Sequence, residues 1–588
     1  MKRVLYTILI LINCFCTIIA QNSSGLLKPE KIYLHTDRDV YIAGENMFYS
    51  LYLQGNAGQM SKYAYLIIRD QNNTFVINSR LEINNQVAYG TVPLSDTLNT
   101  GIYQIICYTS CMRNHSEELY FNKEIVIANR FDKKLNLFPD SLNVLKADTS
   151  VSQDSVNKSD NGNLVLRIDR KVFYQREKIS FSIETGSIPG NLTTRLSVSV
   201  KEIIQGIPTL PSIYEYFNNT TKWENKVESK ESLCRFTPEI NGAVIEGNVL
   251  KLSGQANQSD SVKNIDAGLP PPYTLLVSTT DSIVNLQYTS TDSSGSFRIH
   301  LSPYYEGKDL FIRIKENVKA TIQTENKFNL IQPFYPSGNF NVPGFRPNLL
   351  RSENIVQVQK FYNLQQSITT LKEFLPGGIV PRIYFRDYST VFPSDFIEMN
   401  DFLEISKEIV PALKVRKVGD KYVSGYINFQ DQANKTEEPS FFLDGVPIDD
   451  VNQILSLGTR QIKRIESLPF NRYYGDMTFQ GILALFSKDL LINRIEFKTP
   501  TIKYQSLSSQ SYTKQELYKP VDVNSHIPDM RQLLLWDPDI VLKKSEKKQI
   551  EFYASDLQGK YLINIQGITN TGEPVNCSAT IVIQSRSK

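Results

Sequence analysis

Long apolar runs are missing from this sequence beyond its first twenty residues. No later stretch approaches the roughly 20 apolar residues of a membrane-spanning helix, so no transmembrane segment is expected in the mature chain. Charge of one sign is missing too. Sixty-four Lys and Arg stand against 61 Asp and Glu, a formal net charge of +3 over 588 residues. No basic stripe of the kind that neutralises phosphates occurs, so nucleic acid is excluded as a partner. Cysteine is scarce: beyond Cys14 and Cys16 there are Cys107, Cys111, Cys234 and Cys577. Cys107 and Cys111 share one extended stretch, where a spacing of four places them ~13 Å apart, beyond disulfide reach. With four scattered histidines no zinc-type spacing arises, and no metal or cofactor is expected. There is no G-x-S-x-G, no H-E-x-x-H and no phosphate loop, and the expectation is a protein that is not an enzyme.

What is present is β-prone. Tyr and Phe number 31 and 30 against two Trp, among many Val, Ile and Thr runs. The length suits about four domains. Lys2 and Arg3 precede an apolar run from Val4 to Ile19, followed by Ala20 and a polar segment, the three-part pattern of a signal peptide over residues 1–20. Cys14 or Cys16 offers lipidation as the alternative. Export to the periplasm or to an outer-membrane-associated position follows.

Residues 28–130 alternate apolar and polar residues around turn signals, as in a β-sandwich. Lys31 to Asn46, K-I-Y-L-H-T-D-R-D-V-Y-I-A-G-E-N, resembles the start of a macroglobulin MG2 domain through Thr36, Asp37, Tyr41, Gly44 and Glu45. Tyr41 reads as an inward anchor and Gly44-Glu45 as a corner. Residues 131–163, rich in Ser, Asp and Asn, read as a linker. A second macroglobulin- or Ig-like sandwich is expected over 164–235, repeating the pattern with Tyr174 and Arg176-Glu177 before its second strand.

Residues 236–330 hold G-x-V and then T-D-x-x-G-x-F, with Asp292, Gly295 and Phe297, and resemble a carboxypeptidase regulatory-like β-sandwich. Helical content is expected from Gln357 to Phe374. A short amphipathic helix is expected at Phe402, Ile405 and Ile409, with Asn400 or Asp401 as N-cap. The stretch 345–488 resembles the plug domain of TonB-dependent receptors: Asp444-Gly445-x-Pro447, Ile462, Ile465-Glu466, Tyr474-Gly475, Gly481-Ile482 and Ser487-Lys488 follow that family's order. No barrel of ~10-residue alternating strands follows. The last segment, 489–588, reads as a separate Ig-like β domain. The expected fold class is therefore mainly β: several Ig-like or macroglobulin-like sandwiches plus one α/β plug-like domain.

Asp444, Asp449 and Asp450 fit turn formation and helix capping better than acid–base catalysis. His35 beside Asp37 reads as a strand-surface histidine rather than a relay. No C-G-E-Q thioester motif surrounds any cysteine. The resemblances imply a non-catalytic envelope adaptor that docks an outer-membrane β-barrel or receptor complex. Asp444, Gly445, Pro447, Tyr474, Gly475 and Gly481 would form its partner-facing motif. A thioester-free macroglobulin-like protein that grips proteases or other proteins is the alternative.

Overall fold

A computed structural model describes residues 29–585 except 56–58, 133–163, 186–191, 205–210, 220–234, 252–271, 337–344, 363–367, 373–378, 386–387, 411, 428–437, 508–511 and 516–525. The expected signal peptide and nearly all of the expected linker lie outside the described residues. The chain divides into two compact units. One holds the described residues up to Ile240 with Lys327–Glu373 and Gln510–Lys588; the other holds Asn241–Asn326 and Phe374–Ser509. The architecture is mainly β, as expected, with sandwiches and one mixed α/β layer.

The first unit contains two eight-stranded sandwiches of the same topology. In the first, β1 (Lys31–Thr36), β3 (Asn46–Gln54) and β6 (Val87–Pro93) form one sheet in the order β1-β3-β6. The facing sheet runs β2-β8-β7-β4-β5, from β2 (Val40–Ile42), β4 (Tyr63–Arg69), β5 (Phe75–Glu82), β7 (Gly101–Thr109) and β8 (Phe121–Ala128). The second sandwich begins with β9 (Leu164–Ile168), β10 (Val172–Tyr174), β11 (Lys178–Thr185) and β12 (Thr193–Glu202). It is completed by β13 (Leu533–Lys543), β14 (Lys547–Tyr553), β15 (Gly559–Thr569) and β16 (Pro574–Gln584). Its sheets run β9-β11-β14 and β10-β16-β15-β12-β13, so each strand corresponds to the one eight positions earlier. Even the parallel edge pair recurs, β2 with β8 and β10 with β16.

This corrects the expected division into a sandwich at 164–235 and a separate Ig-like domain at 489–588. β12 pairs with β13 on one side and β15 on the other, and Leu166, Ile179, Leu196 and Val198 share one core with Ile540, Phe552, Ile563 and Ile581. Four strands cannot close a two-sheet core alone, and the C-terminal strands supply the missing half. Residues 203–532 lie in the connection between β12 and β13. Within the stretch 164–235 expected to be a sandwich, a one-and-a-half-turn helix, α1 (Ile213–Asn218), is closed by a Ser212/Glu215 capping box.

The helix expected over 357–374 lies earlier, at α2 (Phe345–Phe361), and belongs to the first unit. Its Leu349 and Val356 pack on Val40, Ile42, Val126 and Ala128. Residues 345–373 are thus not part of the α/β layer, as the expected 345–488 boundary required.

In the second unit, two sheets form a seven-stranded sandwich. One sheet holds Val244–Lys251 between Ser296–His300 and Ala320–Thr324. The other runs from Gln287–Ser290 through Thr274–Thr279 and Asp309–Ile314 to Thr501–Gln505. Gly295 turns the hairpin at φ +81° and Phe297 is buried, both as expected. The seventh strand, 501–505, lies far beyond the expected end at 330. Between them the chain builds a five-stranded mixed sheet, ordered Ser389–Val391, Ile462–Leu468, Ile482–Ser487, Ser440–Leu443 and Val446–Pro447. Helix α3 (Phe402–Glu408) is capped by Asp401 and lays Phe402, Ile405 and the following Ile409 on one face of this sheet, with Ile465, Leu483 and Leu485. The other face packs Phe442, Ile482, Ala484 and Phe486 against Leu276, Val284 and Leu286 of the sandwich.

Candidate functional site

The turn Asp444-Gly445 is held from every side. Asp444 adopts φ +50°, a left-handed conformation that Asp tolerates and Gly445 (φ +88°) takes without strain. Asp444 is 2% exposed, and its carboxylate is fully engaged. It accepts the Ser487 N–H at 2.6 Å, the Ser487 hydroxyl at 2.8 Å and the Ile492 N–H at 3.2 Å. These bonds tie the end of one parallel strand to the end of its neighbour. A Cβ on Gly445 would lie 2.7 Å from the Ile283 carbonyl oxygen and 3.1 Å from that of Thr279, both in the sandwich of the same unit. Pro447 is buried, and its carbonyl accepts from the Arg313 guanidinium.

Asp449 is the counter-ion of that guanidinium, and also accepts from the Thr499 hydroxyl at 3.0 Å and the Lys498 N–H at 2.7 Å. Burial pulls the Arg313 pKa down, against the charge of Asp449. Asp450 caps Val451–Gln453, accepting from Asn452 N–H. The capping expected of this acid is present, on a single 3₁₀ turn.

The remaining motif residues are equally committed. Tyr474 donates to the Leu286 carbonyl at 2.7 Å. A Cβ on Gly475 (φ +57°) would lie 1.8 Å from the Tyr288 hydroxyl, and one on Gly481 (φ +130°) 2.5 Å from the Tyr426 ring. Of the six residues expected to face a partner, Asp444, Gly445, Pro447 and Gly481 are buried at the two ends of the strand Ser440–Leu443, with the turn abutting the chain's own sandwich, whereas Tyr474 is half-buried and Gly475 exposed on the hairpin. Their chemistry is that of turns and carboxylate clamps.

A different part of this unit is open. Phe385, Phe392, Phe396 and Ile397 are 59%, 47%, 49% and 78% exposed, within thirteen residues around the edge strand Ser389–Val391. On the hairpin Arg472–Tyr474/Met477–Phe479 and just before it, Tyr473 and Phe470 are exposed as well. The segment is anchored by Tyr384, which donates to Glu466 at 2.7 Å and packs its ring against Tyr388. Sequence reading passed over it. Its signal was the F-P-S-D-F-I run, large apolar residues with neither strand nor helix period.

In the first unit the functional question is how the two sandwiches meet. β1 and β3 turn His35, Ser50 and Tyr52 toward β12, β13 and β15. His35 is 4% exposed, not the strand-surface residue expected, and it does not bond Asp37. Asp37 instead accepts from the Tyr41 hydroxyl at 2.7 Å, Phe48 N–H at 3.0 Å and Arg38 Nε at 3.1 Å. Burial lowers the His35 pKa well below its ordinary value, and the charges of Lys201 and Lys123 reinforce that against Asp39. Burial pushes the Asp39 carboxylate up, but the ammonium groups of Lys123 and Lys201 outweigh it and hold Asp39 below the usual carboxylate range.

Beside this joint lies a cleft of about 1060 Å³, floored by Leu53, Ile83, Ile568 and Val541. Arg195 bridges it, with a bidentate pair to Asp539 and a bond to the Asn84 carbonyl at 2.7 Å. Cys107 and Cys577 are buried thiols, and burial pushes Cys577 up to about 12. Among the described residues no group of three or more His, Cys, Asp or Glu could hold a metal ion, and no helix is long and apolar enough to cross a membrane.

No family model and no curated protein matches the sequence. Among solved structures the chain is similar to bacterial α2-macroglobulins. The native Escherichia coli protein gives 9% identity and a TM-score of 0.15, over 95% of this chain and 23% of that one. The E. coli protein activated by porcine elastase gives 7% and 0.23, over 95% and 44%. The Salmonella protein reacted with methylamine gives 8% and 0.22, over 95% and 40%. The chain spans less than half the length of each, and a likeness this distant says nothing about activity.

Proposed function

We propose that this chain is a non-catalytic, exported scaffold of a Gram-negative envelope that binds an outer-membrane β-barrel or receptor complex through the α/β layer of its second unit. That layer resembles a TonB-receptor plug, and the sandwich beside it resembles a carboxypeptidase regulatory-like domain. The observation that carries the reading is the exposed set Phe385, Phe392, Phe396 and Ile397 around an edge strand. Large apolar side chains gathered on one surface segment mark interaction sites, whereas single ones do not. An edge strand adds unpaired N–H and C=O groups that a partner strand can use. The buried motif at Asp444 then acts as the frame that holds this segment, not as the contact.

The test is crosslinking and affinity capture from the native envelope, comparing wild type with Phe392→Ser/Phe396→Ser/Ile397→Ser. A β-barrel protein should co-purify with wild type and fall by about tenfold with the triple variant, as expected when an apolar anchor is lost. Equal capture by both moves the contact elsewhere, and no barrel in either ends the adaptor reading. Deleting 439–488 is no substitute, because it removes most of the mixed sheet and leaves Arg313 buried without Asp449.

The second reading, a thioester-free macroglobulin-like protein that grips other proteins, is favoured by two consecutive sandwiches of one strand order. Limited proteolysis separates the two: a trap changes shape when cut, and an adaptor does not. The Ser-, Asp- and Asn-rich stretch 140–163, where such a cut is expected, lies outside the described residues.

A further inference from the structure

The contact between the two sandwiches is polar where a strand surface usually meets water, and one hydrogen-bond chain through it has its direction fixed. The Ile213 N–H can only donate, and it donates to Gln566 Oε1 at 2.9 Å. The other end of that carboxamide, Gln566 Nε2, must therefore donate to Asn564 Oδ1 at 2.7 Å. This leaves Asn564 Nδ2 facing His35 Nε2 at 3.2 Å, where it can only donate. His35 Nε2 is thus the acceptor, and the ring proton sits on Nδ1, 2.6 Å from Ser197 Oγ. Ser197 Oγ also accepts from the Tyr52 hydroxyl at 2.7 Å. The chain runs from α1 through β15 and β1 to β12 and β3, crossing between the sandwiches three times.

We propose that this joint is an acid-sensitive latch: protonation of His35 at Nε2 breaks the chain and loosens the first sandwich from the second. A proton arriving at Nε2 meets an N–H of Asn564 pointed at the same place. Asn564 cannot turn its oxygen inward without abandoning Gln566, and Gln566 cannot follow without abandoning Ile213. Ser199 Oγ, 3.3 Å from Nε2, can take the new proton only by displacing Asn564. The surrounding charges oppose the imidazolium. Lys201 on β12 and Lys123 on β8 present two ammonium groups against the single carboxylate of Asp39, which both already bind. Tyr52 on β3 is neutral, its pKa raised by burial. β13 contributes the Trp536 ring, 5.1 Å from the imidazole, and no charge at that point.

The sign follows from linkage. The closed joint holds His35 below the ordinary histidine value of 6.5, so the open joint binds more protons. The latch is intact above about 6.5, and each unit of pH below that raises the open-to-closed ratio about tenfold until the closed-state pKa is passed.

The experiment is hydrogen exchange on the full chain between pH 7.5 and 5.0, read as protection factors for β1 and β12. Wild type should lose about tenfold in protection per unit below pH 6.5. His35→Gln, which can accept from Asn564 and donate to Ser197 without titrating, should show no such slope. Asn564→Asp supplies an acceptor that raises the His35 pKa, and should keep the joint protected to lower pH than wild type. The second variant carries the test should His35→Gln fail to fold. A slope in His35→Gln equal to wild type, or an Asn564→Asp profile superimposable on wild type, overturns the latch.

Discussion

The two sandwiches of the first unit share a strand order, and they share a corner. In the first, Asp37-Arg38-Asp39-Val40-Tyr41 leads to Gly44-Glu45; in the second, Asp169-Arg170-Lys171-Val172-Phe173 leads to Arg176-Glu177. Arg38 pairs with Glu45 and Arg170 with Glu177. Glu45 accepts the Ile42 N–H at 2.7 Å, and Glu177 the Tyr174 N–H at 2.8 Å. Arg38 lies over the Tyr41 ring and Arg170 over the Phe173 ring. The difference is solvent. The Arg38 and Asp37 side chains are 15% and 0% exposed, whereas Arg170 is 49% exposed and Asp169 is exposed. One local device thus serves twice, once inside a joint and once at a surface, and the comparison separates what geometry contributes from what burial contributes.

The largest asymmetry should come from the first acid. Asp37→Ala leaves the Phe48 N–H without its acceptor and takes one of two partners from Arg38, which keeps Glu45, and from the Tyr41 hydroxyl, which keeps the Arg38 carbonyl; the loss should be about 3 kcal/mol, the low end for breaking a buried pair from one side. Asp169→Ala at an exposed position should stay within about 0.5 kcal/mol. Urea denaturation of the two variants checks this, and equal losses would show that burial is not the deciding term.

Next comes the ring. Tyr41→Phe makes the first corner chemically like the second and removes a hydrogen bond to a carboxylate, at about 1.5–3 kcal/mol. Phe173 is itself buried in the core of the second sandwich, so Phe173→Tyr buries a new hydroxyl there and should cost about 1–3 kcal/mol. Burial already raises Asp37 above its ordinary 3.8, so the folded state holds that proton more tightly than the unfolded one. Asp37 therefore costs stability as pH rises from 3.8 through its folded value. Loss of the Tyr41 hydroxyl should extend that window upward, visible as a fall of Tm that continues to higher pH.

Backbone comes third. Gly44 sits at φ +87° and Arg176, its counterpart, at φ +56°. Gly44→Ala should cost about 1–2 kcal/mol, the penalty of a left-handed L-residue. Arg176→Gly relieves the same strain but gives up two bonds to Asp556, at 2.7 Å each, so its net effect should be smaller. A melting-temperature series across both positions measures the difference.

These corners were legible in the sequence because everything that defines them lies within nine residues. Tyr41 as inward anchor and Gly44-Glu45 as corner needed no knowledge of the rest of the chain. The repeat was legible too, though with its register one residue off: Phe173, not Tyr174, takes the place of Tyr41, and Tyr174 is 40% exposed. What local pattern could not carry was the closing of β12 on β13 and β15 across residues 203–532, since alternation tells a strand its faces and not its neighbours. The same limit hid the joint. His35, Ser50 and Tyr52 occupy the polar face of alternating strands, which reads as solvent until a second sandwich covers it. At Asp444-Gly445 the turn was readable from Gly and Pro, but its direction was not, because the sandwich it abuts is separated from it by well over a hundred residues of chain.

The finest test is the pair of glutamates, where geometry is matched most closely. Glu45→Gln and Glu177→Gln each keep an oxygen for the backbone N–H of the corner and remove only the charge facing the arginine. If the ion pair has one intrinsic worth, the two variants should lose the same amount. If burial sets it, Glu45→Gln should lose about 1 kcal/mol more, because Arg38 is left with its charge in a largely dry corner, whereas Arg170 is re-solvated and its pair is worth only about 0.2–1 kcal/mol. Raising the salt concentration sharpens the distinction. Screening should erase the loss at Glu177 and leave most of the loss at Glu45, since both partners of the first pair are only 15% exposed against 49% for Arg170.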